Sequence, residues 1–333
     1  MIGTWVRGVG VAVALSSVLA TGLGGVSATA ATTGILQVTS SPSLATQILV
    51  DGVIANSRAV NGLELAPGVH NVSFTHVPGY TEPVPQSVTI TAAITTAIVG
   101  TFTPRGQLQV VTVPQVASQI TIDGKPADNY GVATDVAAPV MHQVCFGPVA
   151  GFTPPACQTV STTVGPLPTV VTGVFVPSLG APGLTGVGYL RASTSPAVQS
   201  QILIQQGAST WIADNWGLNW LELPPGSYTV SFSYLEGWTA PAPQTVTITA
   251  GNTTVVPGNF TQRGELRVIT SPPVRGTISV DGVPRDSWGI WTDFPTGSHT
   301  ACFAPVAGFV NTPACQTVTV NPGVEIDVTG TYS

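Results

Sequence analysis

Lysine is almost absent from this 333-residue chain, and charged residues of every kind are scarce. Lys125 is the one lysine, and charged residues make up 7% of the sequence, against about 25% in typical soluble domains. The formal net charge of −6 is spread thinly, with no acidic or basic run. Partners such as nucleic acid or an anionic membrane require clustered Lys or Arg. We therefore predict that no nucleic acid is a partner.

Catalytic signatures are also missing. No nucleophile lies near a base, no carboxylate pair suits acid–base chemistry, and no glycine-rich loop fits a phosphate. Asp51, Asp123 and Asp281 each precede glycine, which is typical of tight turns. We expect no enzyme activity and no cofactor.

Beyond the first thirty residues, no long apolar run occurs. Arg7, the apolar stretch 8–23 and the sequence Ala28-Thr29-Ala30 have the order of a secretory signal peptide with its cleavage site. We assign residues 1–30 to this signal. The mature chain is then secreted or extracellular, in loose association with the cell surface at most, and has no transmembrane segment.

Val, Thr, Ala, Gly and Pro take the place of charge, which favours strands and turns over helices. Four units with similar openings account for the chain after residue 33. They are repeat 1 (34–105, GILQVTSSP), repeat 2 (106–177, GQLQVVTVP), repeat 3 (186–263, GVGYLRASTSP) and repeat 4 (264–333, GELRVITSP). A Pro/Gly-rich linker, 178–185, separates repeats 2 and 3. Because the period is about 70–80 residues, the array consists of whole domains and not of solenoid repeats.

Each repeat contains a hairpin signal followed by an alternating strand. Asp-Gly joins two strands in repeats 1, 2 and 4, which predicts a type I′ turn, and Gln206-Gly207 replaces it in repeat 3. The next strands read HNVSF, HQVCF, YTVSF and HTACF. Short strands at regular spacing predict an all-β fold of four tandem Ig-like or prealbumin-like β-sandwiches.

The repeats alternate in an ABAB pattern, because only repeats 2 and 4 contain cysteine. The junctions inside each couple, FTPRG at 102–106 and FTQRG at 260–264, leave no room for a linker. We expect two rigid couples that bend relative to each other at the central linker.

The run from Ser-Pro through the Asp-Gly hairpin, PG-x-[HY]-x-V-x-F and the Gly-aromatic loop resembles the PEGA-type β domain of bacterial surface proteins. The resemblance covers all four repeats and implies a β-sandwich fold, an extracytoplasmic location and a non-catalytic role. The Asp-x-aromatic-Gly segment and the cysteine pairs depart from the family pattern.

The four cysteines belong to a chain with a signal peptide, so disulfides are expected. Strand alternation places Cys145 and Cys157 on the outer face of neighbouring strands, and the same holds for Cys302 and Cys315. We therefore predict the bonds Cys145–Cys157 and Cys302–Cys315.

A metal site is the alternative use of these residues, since His142 precedes Cys145 by three positions and His299 precedes Cys302 by three. On a strand, residues three apart point to opposite faces and cannot converge on one ion. His70, His142 and His299 share a repeat position that Tyr228 occupies in repeat 3, which indicates packing. We predict no metal.

The segment after the hairpin reads DNYGV from 128, DNWGL from 214 and DSWGI from 286. One interpretation is structural: Asp caps a turn, the aromatic ring plugs the end of the sandwich, and Gly permits the bend. The other is sugar binding by aromatic rings on loops. The candidate ligand-binding residues are Trp211, Trp216, Trp220, Trp288 and Trp291. Trp211 and Trp220 lie outside the recurring core of the motif and are the better candidates among them.

Two hypotheses for function follow. The first is a secreted, non-catalytic structural or adhesive spacer at or outside the cell envelope. The second is a module of repeats 3 and 4 that binds polysaccharide or another envelope polymer through its Trp-bearing loops. Partners on these hypotheses are an envelope polymer, a carbohydrate or a surface protein, and an accessory subunit of a secreted enzyme is a third option. Exposure of the five tryptophans on one face favours binding, and their burial favours the spacer.

Overall fold

A computed structural model describes residues 33–165 and 167–333, over which the chain forms 33 β-strands and no α-helix. The predicted all-β class is therefore confirmed. The predicted signal peptide lies outside the described residues. No helix in the described ranges is long and apolar enough to cross a membrane.

The strands follow the repeats in order. Repeat 1 contains β1 (Gly34–Ser41), β2 (Gln47–Val50), β3 (Val53–Ser57), β4 (Ala59–Leu65), β5 (Gly68–Phe74), β6 (Tyr80–Thr81), β7 (Gln86–Ile90) and β8 (Thr95–Thr101). Repeat 2 contains β9 (Thr103–Val113), β10 (Ile120–Ile122), β11 (Lys125–Ala127), β12 (Val132–Ala137), β13 (Met141–Phe146), β14 (Phe152–Thr153), β15 (Gln158–Ser161), β16 (Thr169–Val174) and β17 (Val176–Pro177).

The second half repeats this order. Repeat 3 contains β18 (Gly188–Ser195), β19 (Ile202–Gln206), β20 (Ser209–Asp214), β21 (Leu218–Leu223), β22 (Gly226–Phe232), β23 (Trp238–Thr239), β24 (Gln244–Ile248), β25 (Thr253–Asn259) and β26 (Thr261–Gln262). Repeat 4 contains β27 (Gly264–Ser271), β28 (Ile278–Val280), β29 (Val283–Arg285), β30 (Ile290–Phe294), β31 (Gly297–Phe303), β32 (Gln316–Val320) and β33 (Glu325–Thr331).

Two sheets recur in every repeat. The first strand of the repeat is the centre of a three-stranded sheet, antiparallel to one neighbour and parallel to the last long strand, as β1 is to β4 and β8. The second sheet has four strands, in the order β3-β2-β5-β7 in repeat 1. Apolar residues from both sheets form one buried cluster in each repeat. Such pairs of sheets packed over a common core are β-sandwiches.

The predicted Asp-Gly turns are confirmed by their backbone angles. In repeat 1, φ is +51° at Asp51 and +78° at Gly52, and the other two Asp-Gly pairs are alike. Positive φ at both central residues defines the type I′ turn. The tight connection sets the register of the hairpin.

The aspartate of each such turn also forms a hydrogen bond with a histidine, which lies on the strand that pairs with the first strand of the hairpin. Asp51 Oδ2 lies 2.7 Å from His70 Nδ1, and His70 Nε2 lies 3.0 Å from the carbonyl oxygen of Ala66. Repeats 2 and 4 have the same arrangement. In repeat 3, Gln206 donates to the hydroxyl of Tyr228 instead. Both ring nitrogens of His70 are thus engaged in hydrogen bonds, as expected of a packing position.

Two disulfides lie within repeats. Cys145 and Cys157 join β13 to the segment before β15, with a Cα–Cα distance of 4.2 Å, and Cys302 and Cys315 do the same in repeat 4. The two bonded cysteines are 12 positions apart in the first disulfide and 13 positions apart in the second. Loops of this length are expected to contribute about 3 kcal/mol each through the entropy of the unfolded chain.

The central linker does not separate two independent couples. Its first part is bonded to repeat 2, since Ser178 N donates to the carbonyl of Gly151 at 2.8 Å. Repeats 2 and 3 then contact each other directly, for example where Asn129 N donates to the carbonyl of Trp220 at 2.8 Å. The expectation of bending at this linker is therefore wrong, because polar contacts across repeats restrain it. The boundaries of the four domains stay a prediction.

Candidate functional site

The Asp-x-aromatic-Gly segment forms a local turn in repeats 2, 3 and 4. The aspartate Oδ1 accepts a hydrogen bond from the N–H of the aromatic residue, at 2.7 Å between Asp214 and Trp216. The glycine adopts a positive φ, of +140° at Gly217 and +119° at Gly289. A Cβ built on Gly289 would lie 2.9 Å from the carbonyl oxygen of Val268. The predicted roles of Asp and Gly are confirmed, because only glycine combines this φ with such a close approach.

The second oxygen of the aspartate reaches into another repeat. Asp214 Oδ2 accepts from the N–H of Ala133 at 3.1 Å, so repeat 3 is bonded to repeat 2. In the opposite direction Asp128 Oδ2 accepts from the N–H of Asn219. We call this contact region interface 2–3. Its two halves are equivalent, which is the reciprocity expected of two similar surfaces that face each other.

Repeats 1 and 4 form interface 1–4 in the same way. Asp286 Oδ2 accepts from the N–H of Asn61 at 2.6 Å, and Asn56 Oδ1 accepts from the N–H of Trp291 at 3.0 Å. Asn56 occupies the position of the aspartate in repeat 1, and its side-chain amide also donates to Asp286 at 3.3 Å. The sequence motif is therefore a device that joins repeats.

Two further buried aspartates each contact two other repeats. Asp135 of repeat 2 accepts from the N–H of Gly79 in repeat 1 at 3.3 Å and from Nε2 of Gln201 in repeat 3 at 3.1 Å. Asp293 of repeat 4 accepts from Gln47 Nε2 in repeat 1 and from the Tyr234 hydroxyl in repeat 3 at 3.3 Å. Asp135 thus connects repeat 2 to repeats 1 and 3, and Asp293 connects repeat 4 to repeats 1 and 3.

The junction arginines support the same aspartate positions. Arg263 Nε lies 3.1 Å from Asp293 Oδ2, and its guanidinium donates to the Asp293 carbonyl at 3.0 Å. Arg105 donates to the carbonyl of Asp135 at 2.9 Å. Burial, followed by the charge of Asp293, raises the pKa of Tyr234, which keeps its hydroxyl protonated as a donor. At each of the two junctions without a linker, an arginine therefore binds the aspartate residue of the repeat that follows.

Acidification should stabilise the protein through Asp214. Burial, together with the charge of Asp128, raises the pKa of Asp214 to about 6 from 3.8. The folded state therefore favours the protonated form, and the contribution is complete below pH 3.8 and is lost as the pH rises through about 6. We expect the free energy of unfolding to be about 2 kcal/mol higher at pH 4.5 than at pH 7 from this group.

Urea unfolding of the protein and of Asp214→Asn at both pH values checks this expectation. Asparagine cannot ionise, so the variant should lose about that difference while keeping the part due to Asp128 and Glu222, whose pKa values burial also raises. An unchanged pH difference in the variant would contradict the assignment.

The structure separates the five candidate tryptophans into two groups. Trp211 and Trp220 are partly buried. The indole N–H of Trp211 donates to the carbonyl of Pro126 at 2.8 Å across interface 2–3, and the Trp220 ring packs on Tyr189 at 4.5 Å between centroids. Each of these two rings is therefore engaged in a contact with another residue of the protein.

Trp216, Trp288 and Trp291 are exposed, by 59%, 52% and 46% respectively. The expectation that the aromatic residue of the motif plugs the end of the sandwich is therefore wrong. Two positions before each of Trp216 and Trp288, the aspartate of the motif is buried and bonded to another repeat, while the ring itself is exposed. The ring of Trp291 lies between the guanidinium groups of Arg58 and Arg267, at 5.8 and 5.9 Å.

A groove of about 570 Å³ lies along interface 2–3. Trp216 of repeat 3 and Tyr130 of repeat 2, which is 47% exposed, both line it at equivalent positions of the motif. The polar side chains of its lining are the exposed Gln109, Gln115, Arg191, Ser193 and Asn219, together with the buried Asp214. The groove thus combines two aromatic rings with amides, one cation and one carboxylate, that of Asp214, whose oxygens already accept backbone N–H groups. Such a composition is typical of sites for polar ligands with apolar faces.

Sequence reasoning missed Tyr130 and Arg191 as partners of Trp216, because they belong to different repeats and meet only in the folded chain. Asp135 and Asp293 were missed as well. A signal for these two did exist, since Thr-Asp recurs at 134–135 and 292–293 in the cysteine-bearing repeats only.

Comparisons with known proteins found no matching family model and no matching curated protein. Among solved structures, the chain is similar to the Bacillus anthracis TIE protein, with 12% identity over 91% of this chain and 69% of that one, at a TM-score of 0.21. It is similar to the shaft pilin SpaA of Lactobacillus rhamnosus GG, with 10% identity over 45% and 98% of the two chains, at 0.25. A streptococcal ancillary pilin has 9% identity over 90% and 99%, at 0.22. At TM-scores of this size the likeness carries no argument about the function of this chain.

Proposed function

We propose that the chain is a secreted, non-catalytic structural or adhesive protein that acts at or outside the cell envelope, built as four β-sandwich domains. The observation that carries this proposal is the use of the recurring aspartates. Asp128, Asp214 and Asp286 accept backbone N–H groups of other repeats. Carboxylates that are occupied in this way join the parts of the molecule and are not available to a substrate.

The disulfides support the extracytoplasmic location. Both bonds lie on the outer face of their sheets, where Cys157 and Cys315 are exposed. Disulfides persist in oxidising compartments and are rare in the cytosol. Together with the inter-repeat bonds, they link the repeats of the chain into one cross-braced scaffold.

Fractionation of the producing cells tests the proposal. We expect the chain in the medium or the outer envelope fraction, shortened by residues 1–30 and lighter by four hydrogen atoms than the reduced form in intact mass spectrometry. A full-length chain with free thiols in the cytosolic fraction would overturn it. A chain with Cys157→Ser and Cys315→Ser serves as the mass reference without bonds.

Binding of an envelope polysaccharide is the second candidate function. The exposure of Trp216 and Tyr130 along one groove favours it, because both rings are accessible from solvent on the same side of interface 2–3. Trp211 and Trp220, which engage other residues of the protein, do not contribute to this candidate.

A further inference from the structure

The groove along interface 2–3 has polar side chains that the protein itself does not use. Within the described part of the chain, the side chains of Gln109, Gln115 and Asn219 make no hydrogen bond, and Arg191 makes no ion pair. By contrast Gln37, which occupies in repeat 1 the position of Gln109, donates to the carbonyl of Asn61 at 3.0 Å. Free donors that converge on a groove are available to a ligand.

Interface 1–4 carries different side chains at the positions that line the groove of interface 2–3. At the position of Asn219, repeat 4 has Trp291, whose ring lies between Arg58 and Arg267. These arginines occupy the positions of Tyr130 and Arg191. The same backbone arrangement therefore carries an aromatic ring between cations at one interface, and small polar side chains beside two exposed rings at the other.

The chemistry of the lining selects the ligand. Exposed Trp and Tyr rings present flat apolar faces, which match the C–H face of a pyranose ring. Amides donate to and accept from hydroxyl groups. The planar guanidinium group of Arg191 can donate two parallel hydrogen bonds to one carboxylate. A proline-rich peptide would also pack on the rings, but it has few groups to satisfy three amides.

We propose that the groove of interface 2–3 binds an acidic oligosaccharide, with Trp216 and Tyr130 stacking on sugar rings and Arg191 pairing with a sugar carboxylate. This proposal rests on the proposed function in one respect: a location at or outside the cell envelope would supply the oligosaccharide. Binding is a property of the purified chain, so its failure would leave the localisation result unaffected.

Isothermal titration calorimetry with a β-1,4-linked glucuronate hexamer, and with the matched glucose hexamer as neutral probe, tests the proposal. We expect the glucuronate hexamer to bind at least about tenfold more tightly than the neutral one, as one charge-assisted hydrogen bond would give. Trp216→Ala should weaken binding about tenfold through the loss of stacking. Arg191→Ala should remove the preference for the acidic probe.

Two further variants separate the groove from general effects on folding. Asn219→Trp places at interface 2–3 the residue that interface 1–4 carries, and it should abolish binding while the backbone N–H of residue 219 still bonds to Asp128. Trp288→Ala removes a ring of similar exposure at the other interface and should leave binding unchanged. Thermal unfolding verifies that each variant is folded.

Several outcomes would overturn the proposal. They are no binding of the glucuronate hexamer, equal binding of the two hexamers, equal losses in Trp216→Ala and Trp288→Ala, or full binding by Asn219→Trp. Tighter binding of a proline-rich peptide at the same residues would assign the groove to a protein partner instead.

Discussion

Replacement of Asp286 by alanine should lower the free energy of unfolding by about 3–5 kcal/mol, a large part of the total stability of an ordinary domain. The side chain is fully buried. Its carboxylate accepts from the N–H of Asn61 at 2.6 Å and from the N–H of Trp288 at 3.1 Å. Alanine leaves these donors without their acceptor inside an interface, which costs about 1–3 kcal/mol for each buried group.

Urea unfolding of Asp286→Ala measures the effect, with Asp327→Ala as the control. Asp327 is exposed on β33, and its one ion pair among the described residues is with Arg267 at 3.9 Å, so its removal should change stability by less than about 0.5 kcal/mol. Equal stability of the two variants would refute the role of Asp286. Adding Asn56→Ala to Asp286→Ala should give less than the sum of the single losses, because the two side chains share a bond.

Substitution of Gly100 by alanine should destabilise repeat 1 by about 3 kcal/mol through overpacking. A Cβ built on Gly100 would lie 2.2 Å from Cζ of Phe74, well inside van der Waals contact. The ring cannot retreat, because it packs edge-on against Phe102 at 5.7 Å between centroids. The same glycine-on-phenylalanine contact recurs in the other repeats at Gly173, Gly258 and Gly330.

The free energy of unfolding of Gly100→Ala, with and without Phe74→Leu, provides the measurement. A smaller side chain makes room for the methyl group, so the double variant should be more stable than the sum of the single effects requires. Gly183→Ala, whose Cβ would lie 3.4 Å or more from its neighbours, is the matched control and should be nearly neutral. Strict additivity of Gly100→Ala and Phe74→Leu would contradict the contact.

The structural roles of Gly100 and Asp286 could be predicted from the sequence to different extents. Gly100 belongs to a pattern visible in the sequence, since Gly-x-Phe or Gly-x-Tyr ends every repeat at 100–102, 173–175, 258–260 and 330–332. Asp286 was also visible as part of a recurring motif, and its turn-capping bond was predicted correctly. Its bond to Asn61, 225 positions away, could not be derived, since it depends on which repeats face each other.

The groove shows the same limit. Trp216 was predicted as a ligand candidate and its exposure fits that role. Trp211 and Trp220 were the better candidates in the sequence, because they lie outside the recurring motif, yet both contact other parts of the protein. An indole on a strand has the same local pattern whether its outer face meets solvent or a neighbouring repeat. Whether such a ring is exposed depends on how the repeats pack together, and this packing produces no periodic pattern in the sequence.

The sequence by itself determined the all-β class, the Asp-Gly turns and the strands that carry the cysteines. These features depend on backbone angles and on the two-residue alternation of side chains, which are local and are encoded within a few residues. Only the tertiary structure decided that repeat 1 contacts repeat 4, that repeat 2 contacts repeat 3, and that a groove opens along interface 2–3. Those outcomes depend on which surfaces from distant parts of the chain meet, as where Tyr130 of repeat 2 lines the same groove as Trp216 of repeat 3.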